Sequence, residues 1–318
     1  DRKSLVRFIK SCQNLKDLKK ARRIYTQNEV FHSKDVHVSI ALLSLYAKCG
    51  EMADAQKLFD TLHVRDLVCW NILITGFSKL NLGHNVALKC YRLMCEEAIL
   101  PDAITFTCLL KSCCSNGNLH IGKEIHALVI SSGLSRNNII LGTALVDMYA
   151  KCNVVQEGKR VFDELSIRSI ISWNVMISGF SRHKFFDEAL LCFKRMQDEG
   201  TSPNVVTFLC VVKACAGKGS IEIGKEIQSQ VMDQGFLLEK DMVLGTAFVD
   251  MYVKCGVLNK AQEVFNELLL RKDVVSFNVL MAGFAQRGLI DEALDCLKKM
   301  KNKCVSPNAI TYVSILKA

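Results

Sequence analysis

Two stretches of the 318-residue chain come close to a phosphate cradle: GNLHIGKE at 117–124 and GSIEIGKE at 219–226. A nucleotide-binding loop needs a Ser or Thr after the lysine to reach magnesium, and a strand before the first glycine. Both stretches place Glu there and follow helix-patterned sequence, so nucleotide binding is not expected. The seven histidines form neither His-x-Glu nor His-x-x-x-His, and no Pro-Cys-x-x-Cys occurs. The signature of a zinc deaminase is therefore missing. The fifteen cysteines include no Cys-x-x-Cys pair and sit mostly alone in apolar helical patterns. They read as small buried thiols in a reducing compartment rather than zinc ligands or disulfides. Paired acids such as Asp291–Glu292 stand where helices start, not as a catalytic dyad. No enzyme activity, metal or cofactor is expected.

What recurs instead is a lysine. LYAKCG at 45–50 returns as MYAKCN at 148–153 and MYVKCG at 251–256, placing Lys48, Lys151 and Lys254 at a step of 103. Asp147 and Asp250 precede two of them by four residues, so solvated helix salt bridges are one reading. Contact with a polyanion is the other. The net charge of +9, from 41 basic and 32 acidic residues, is spread along the chain and favours such a partner weakly. No run approaches a membrane span.

The step of about 103 organises the whole chain. Pro101, Pro203 and Pro307 keep it, as do Gly76, Gly179 and Gly283, and Trp70, Trp173 and Phe277. Each unit divides into three pieces, cut so that each ends on a small polar residue before a new apolar run. The pieces are 2–35, 36–66, 67–102, 103–138, 139–169, 170–204, 205–241, 242–273 and 274–308, and a tenth opens at 309 and is expected to be cut short at Ala318. Each reads as two helices. In 170–204 the first is IISWNVMISGFSR and the second DEALLCFKRMQ, with Ala189, Phe193 and Met196 on one face. A lone pair cannot bury such faces, but a stack can, which predicts an all-α solenoid. The glycine of SGF costs roughly 1 kcal/mol of helix propensity and is expected to let a partner helix come close.

ALVDMYAKCN (144–153), WNVMISGFSR (173–182), EALLCFKRMQDEGTSPNVVTF (188–208) and VVKACAGKGSIEIGKEI (211–227) together resemble the pentatricopeptide repeat family. The resemblance is to its plant organellar branch, in which long, short and standard repeats rotate (the PLS subclass). It covers almost the whole chain. It implies a single array folded as a right-handed α-solenoid superhelix that holds single-stranded RNA. In such binders two or three side chains per repeat read each base.

The resemblance implies readers at the fifth and last residues of each repeat, with an apolar second residue sandwiching the base. Asn71 with Asp102 implies uracil, Thr107 with Asn138 adenine, and Thr246 with Asp273 guanine. Asn174 with Asn204, and Asn278 with Asn308, imply a pyrimidine, while Thr143 with Ser169 carries no firm assignment. Val6, Ile40, Leu209 and Val313 fill the fifth place with apolar groups and suggest spacer repeats. The sandwiching residues are Val68, Ile104, Ile140, Ile171, Val206, Val243 and Val275, which on their residue types alone could equally be core. Helix capping is the alternative role for the asparagines.

At 100° per residue the second, ninth and thirteenth residues of a repeat fall near one line. The thirteenth place holds Lys48, Lys79, Lys151, Arg182 and Lys254, a basic row suited to phosphates; in the third standard repeat it holds Gln286, with Arg287 next door. The function implied is sequence-specific RNA binding that specifies organellar C-to-U editing sites. RNA processing or stabilisation, and protein recognition by a solenoid, are the alternatives. Editing accessory proteins or a deaminase, in cis or in trans, are the partners implied beside RNA. The implied compartment is the mitochondrion or chloroplast, with any transit peptide and any C-terminal catalytic domain expected outside this stretch.

Overall fold

Helix starts set the architecture. Asp66, Asp102, Asn138, Ser169, Asn204, Asp241, Asp273 and Asn308 each accept the backbone N–H three residues on, at 2.9–3.2 Å, through a side-chain oxygen. Each satisfies a donor that the first helical turn would otherwise leave orphaned. A helix begins on the next residue in every case.

The computed structural model describes residues 6, 7, 9, 11, 12, 36–80, 84–134, 138–236, 241–268 and 273–317. The expected repeat 2–35 thus lies almost wholly outside the described residues. Among them are seventeen helices and no strand. In chain order they are α1 (Val36–Cys49), α2 (Met52–Asp60), α3 (Leu67–Ser78), α4 (His84–Glu96), α5 (Ala103–Asn116), α6 (Leu119–Ser131), α7 (Ile139–Lys151) and α8 (Val155–Glu164). Then follow α9 (Ile170–Arg182), α10 (Phe186–Asp198), α11 (Val205–Lys218), α12 (Ile221–Asp233), α13 (Met242–Lys254), α14 (Leu258–Glu267), α15 (Val274–Gln286), α16 (Ile290–Asn302) and α17 (Ala309–Leu316).

The chain forms two units, Asp1–Ile167 and Arg168–Ala318. Within each, the odd-numbered helix of a pair packs on its own even-numbered partner and on the odd-numbered helix of the next pair. The even-numbered helix also rests on that next odd-numbered one. This is the all-α stack of helical hairpins that the periodicity predicts. Glycine or asparagine stops the short pairs' first helices: Gly50, Asn153 and Gly256 have φ of 80°, 65° and 78°.

The odd-numbered helices carry most of the core. Trp70, Trp173 and Phe277, equivalent in the three 103-residue blocks, are all buried. Trp70 meets Phe59 edge-on at 4.6 Å and Phe277 meets Phe265 at 5.1 Å. The indole N–H of Trp70 donates to Glu97, which also pairs with Arg65 at 2.8 Å. Ala189, Phe193 and Met196 share the buried face of α10, as their spacing predicts. The two phosphate-cradle look-alikes fall at helix–helix turns, where Gly117 and Gly219 are left-handed C-caps of α5 and α11. No helix of the described residues is long and apolar enough to cross a membrane, and no cluster of three metal-ligating side chains occurs among them.

Candidate nucleic-acid interface

Asn71, Asn174 and Asn278 are the fifth residues of α3, α9 and α15. They sit inside the helix, so capping is not their role. The caps are the last residues of the repeats. The two sets meet: Asn71 Nδ2 donates to Asp102 Oδ1 at 3.1 Å, Asn174 Nδ2 to Asn204 Oδ1 at 3.2 Å, and Asn278 Nδ2 to Asn308 Oδ1 at 3.1 Å.

A third residue closes each set. The hydroxyls of Thr105, Thr207 and Thr311 donate to Oδ1 of Asn71, Asn174 and Asn278 at 2.6, 2.7 and 2.7 Å. The same hydroxyls accept the cap residue's own N–H at 3.1–3.2 Å, forming capping boxes. A threonine hydroxyl has one proton, and the asparagine contact is shorter than the 3.0–3.1 Å approach to the cap's Oδ1. These threonines are fully buried. They are functional candidates that the sequence reading did not pick out. Their signal was present as a cap followed three places on by Thr, in DAIT, NVVT and NAIT.

The asparagine amides are oriented by this arrangement rather than by choice of fit. A backbone N–H requires an oxygen at the cap, so Oδ1 of Asn204 and Asn308 faces α11 and α17 and the NH2 is the group left over. Asp102 offers a carboxylate instead. Burial disfavours its charge, but hydrogen bonds from the Thr105 N–H, Asn71, the Thr105 hydroxyl and the Ile104 N–H outweigh that and hold its pKa below the usual carboxylate value.

The other expected readers are placed differently. Thr107 and Thr143 are buried and donate to the carbonyls of Ala103 and Ile139 at 2.6 and 2.7 Å. Asn138 caps α7 through Leu141 N–H, with no threonine to close a set. Thr246 Oγ1 is buried without a partner among the described residues. Its expected partner Asp273 caps α15, and the Ser276 hydroxyl turns back to the Asp273 carbonyl at 3.0 Å. Ser169 caps α9 in the second unit, while Thr143 belongs to the first.

The second-place residues are not core. Val68, Ile104, Ile140, Ile171, Val206, Val243 and Val275 are each 51–72% exposed, and Ile310 repeats the feature in α17. An exposed β-branched residue at one place in every described first helix from α3 onward is an unpaid cost unless something apolar covers it.

The basic residues are all exposed, in the last turn or at the C-cap of their helices. Lys151 pairs with Asp147 at 2.6 Å and Lys254 with Asp250 at 2.7 Å, so the salt-bridge reading holds geometrically for these two. Lys48, Lys79 and Arg182 make no ion pair among the described residues. Arg287, beside Gln286, donates to the Gly256 carbonyl at 3.3 Å. In the first unit one hollow of about 330 Å³ is lined by Val68, Asn71, Asp102, Ile104, Lys48 and Lys79. Apolar, amide, carboxylate and basic groups thus share one surface there.

A family model described as PPR repeat family matches residues 65–115, 168–217 and 272–318, and one described as PPR repeat matches 40–67, 104–134 and 246–272. The chloroplastic pentatricopeptide repeat-containing protein At1g11290 of Arabidopsis thaliana is 35% identical over 286 residues, 90% of this chain and 35% of that protein. The mitochondrial pentatricopeptide repeat-containing protein At1g06140 of the same plant is 34% identical over 288 residues, 90% of this chain and 50% of that protein. The chain therefore spans half or less of the length of these relatives. Among solved structures, the pentatricopeptide repeat protein PPR10 in complex with an 18-nt psaJ RNA element superposes with a TM-score of 0.81 at 16% identity, over 100% of this chain and 47% of that one. PPR10 from maize gives 0.78 at 17% identity, over 95% and 43%. On its matched repeats and its fold, the chain belongs to the pentatricopeptide repeat family.

Proposed function

We propose that this chain binds single-stranded RNA in a sequence-specific manner, each reading repeat addressing one base. The observation that carries this is the threefold recurrence of one hydrogen-bonded set, Asn71–Asp102–Thr105, Asn174–Asn204–Thr207 and Asn278–Asn308–Thr311, beside exposed Val68, Ile171 and Val275. A base edge needs oriented polar groups, and its faces need apolar ones. After capping, Asp102 has only acceptors to offer, which suits the N3–H of uracil. Asn204 and Asn308 have an NH2 left, which suits a pyrimidine presenting an acceptor. Adenine at Thr107 with Asn138 and guanine at Thr246 with Asp273 remain part of the proposal. So do phosphate contacts by Lys48, Lys79, Lys151, Arg182 and Lys254. The RNA complex of PPR10, a protein of the same fold, supports this reading.

The long, short and standard rotation supports membership of the PLS branch and a role in choosing C-to-U editing sites. The chemistry then belongs to a deaminase outside these residues. Relatives named chloroplastic and mitochondrial support an organellar setting. The deciding experiment is selection from a random single-stranded RNA library on the 318-residue chain, followed by titration of a selected RNA against salt. With five or six phosphate contacts, log K should fall against log salt with a slope of roughly −4. No enrichment, or a flat salt response, overturns the proposal and leaves protein recognition in its place.

A further inference from the structure

We propose that Thr105, Thr207 and Thr311 are positioning residues for base selection, each fixing which way the reading asparagine of the preceding repeat turns its amide. The inference rests on the RNA-reading function proposed above and names a residue that acts through the reader without touching the base.

The direction of every bond in the set follows from one backbone group. The N–H of Asn204 can only donate, so Thr207 Oγ1 accepts it at 3.1 Å. The hydroxyl proton then goes to Asn174 Oδ1 at 2.7 Å. Asn174 must therefore present Nδ2 to Asn204 Oδ1, at 3.2 Å, and that oxygen is itself held by Thr207 N–H at 3.0 Å. One N–H and one lone pair of Asn174 remain, on fixed sides of the amide. Rotating the amide by half a turn would set its NH2 against the Thr207 hydroxyl and its oxygen against Asn204 Oδ1, two acceptors face to face. Thr105 in the first unit and Thr311 in the second repeat every contact within 0.1 Å of these lengths.

Two of the other described junctions supply the contrast. After repeat 242–273 the third residue is Ser276, whose hydroxyl bonds the Asp273 carbonyl instead, and Thr246 Oγ1 is left without a partner among the described residues. After repeat 103–138 the third residue is Leu141, with no hydroxyl, and Thr107 turns to its own helix. The closed set thus occurs where the reader is an asparagine, the side chain whose two ends must be told apart.

The test uses random single-stranded RNA selection on the full chain and on three variants. Asn174→Thr locates the base that repeat 170–204 reads, as the one position whose preference changes. Thr207→Val keeps shape and removes the hydroxyl; it should flatten preference at that position by roughly five- to tenfold while other positions keep theirs. Thr207→Ser should restore it only in part, because the serines at the equivalent place, Ser172 and Ser276, turn their hydroxyls to the cap's carbonyl. Thermal unfolding of each variant separates the readouts, because a purely structural threonine would lower stability and weaken all RNAs alike. Full preference in Thr207→Val, or uniform weakening with preference intact, overturns the inference. If Thr207→Val does not fold, Thr105→Val in the first unit carries the same expectation and the same refutation. No base preference in the unaltered chain overturns the RNA-reading function itself, a different failure.

Discussion

Asn174 and Asn204 stand 30 residues apart, and Asn174 Nδ2 donates to Asn204 Oδ1 at 3.2 Å. One residue is inside a helix and the other caps the helix that starts the next repeat. Under the proposed base reading, stability and selectivity are thereby joined. The cap must be Asn, Asp, Ser or Thr to satisfy the helix, and those are side chains with polar atoms to spare for a base edge.

Exchanging Asn204 for Asp keeps the cap and changes what is left over from a donor to an acceptor, making the pair match Asn71–Asp102. Asn204→Asp should therefore shift preference toward uracil at one base, by about tenfold. Thermal stability should hold or rise slightly, since a carboxylate suits a helix N-terminus. Selection on the variant beside a melting curve checks both. A change at several bases, or a loss of helicity, would count against a local reader.

The basic row separates into two kinds of residue. Lys79→Ala should lower the salt slope of RNA binding by about 0.7 and leave base preference alone. Lys151 is already engaged by Asp147 at 2.6 Å. If Lys151 makes the proposed phosphate contact, that pair competes with it, and Asp147→Asn should tighten binding about twofold, the size of one helix ion pair. Fluorescence anisotropy across a salt series distinguishes these outcomes. If Asp147→Asn weakens binding, Lys151 serves its helix and not a phosphate.

Much of this arrangement could be read from the sequence, for a physical reason. A small polar residue before an apolar run is the chemical requirement of a helix N-terminus, so cuts after Asp66, Asp102 or Asn204 fall where α3, α5 and α11 begin. Left-handed stops at Gly50, Asn153 and Gly256 were visible from residue type. The exposure of Val68 or Ile140 was not, because a β-branched residue in an apolar helix reads as core until neighbouring helices are placed. The threonine that closes each set escaped notice for the same reason. Thr207 and Asn174 are 33 residues apart, and periodicity within a helix says nothing about partners on the next.

Gly283 and Gly76 hold the same place in α15 and α3, yet they should respond differently to alanine. A Cβ on Gly283 would lie 2.7 and 2.9 Å from both γ-carbons of Val253, a branched side chain with little room to turn. On Gly76 it would meet the flexible Sδ end of Met52 at 2.5 Å. Alanine gains roughly 1 kcal/mol of helix propensity at both, and overpacking costs about 1–3 kcal/mol where neighbours cannot give. Gly283→Ala should be destabilising and Gly76→Ala close to neutral, compared by denaturant midpoints. Equal effects would mean that backbone approach is not what keeps the glycine.

Asp102 gives the chain a pH dependence that Asn204 and Asn308 do not. Its folded pKa lies below the unfolded carboxyl value of about 3.9, because hydrogen bonds from Thr105, Asn71 and Ile104 outweigh burial. A depressed acid stabilises the fold in full above the unfolded pKa, and that stabilisation is lost as pH falls through the folded one. Asp102→Asn keeps the cap and the contact to Asn71 but cannot ionise. The unaltered chain should thus be the more stable of the two at pH 7, and the gap should close as pH falls below the unfolded carboxyl value and through the lower folded one. Urea unfolding of both proteins from pH 7 down to pH 2.5 measures it. A gap that stays constant on acidification would place the stabilising role of Asp102 in its shape alone, and a gap that widens would reverse the sign of the argument.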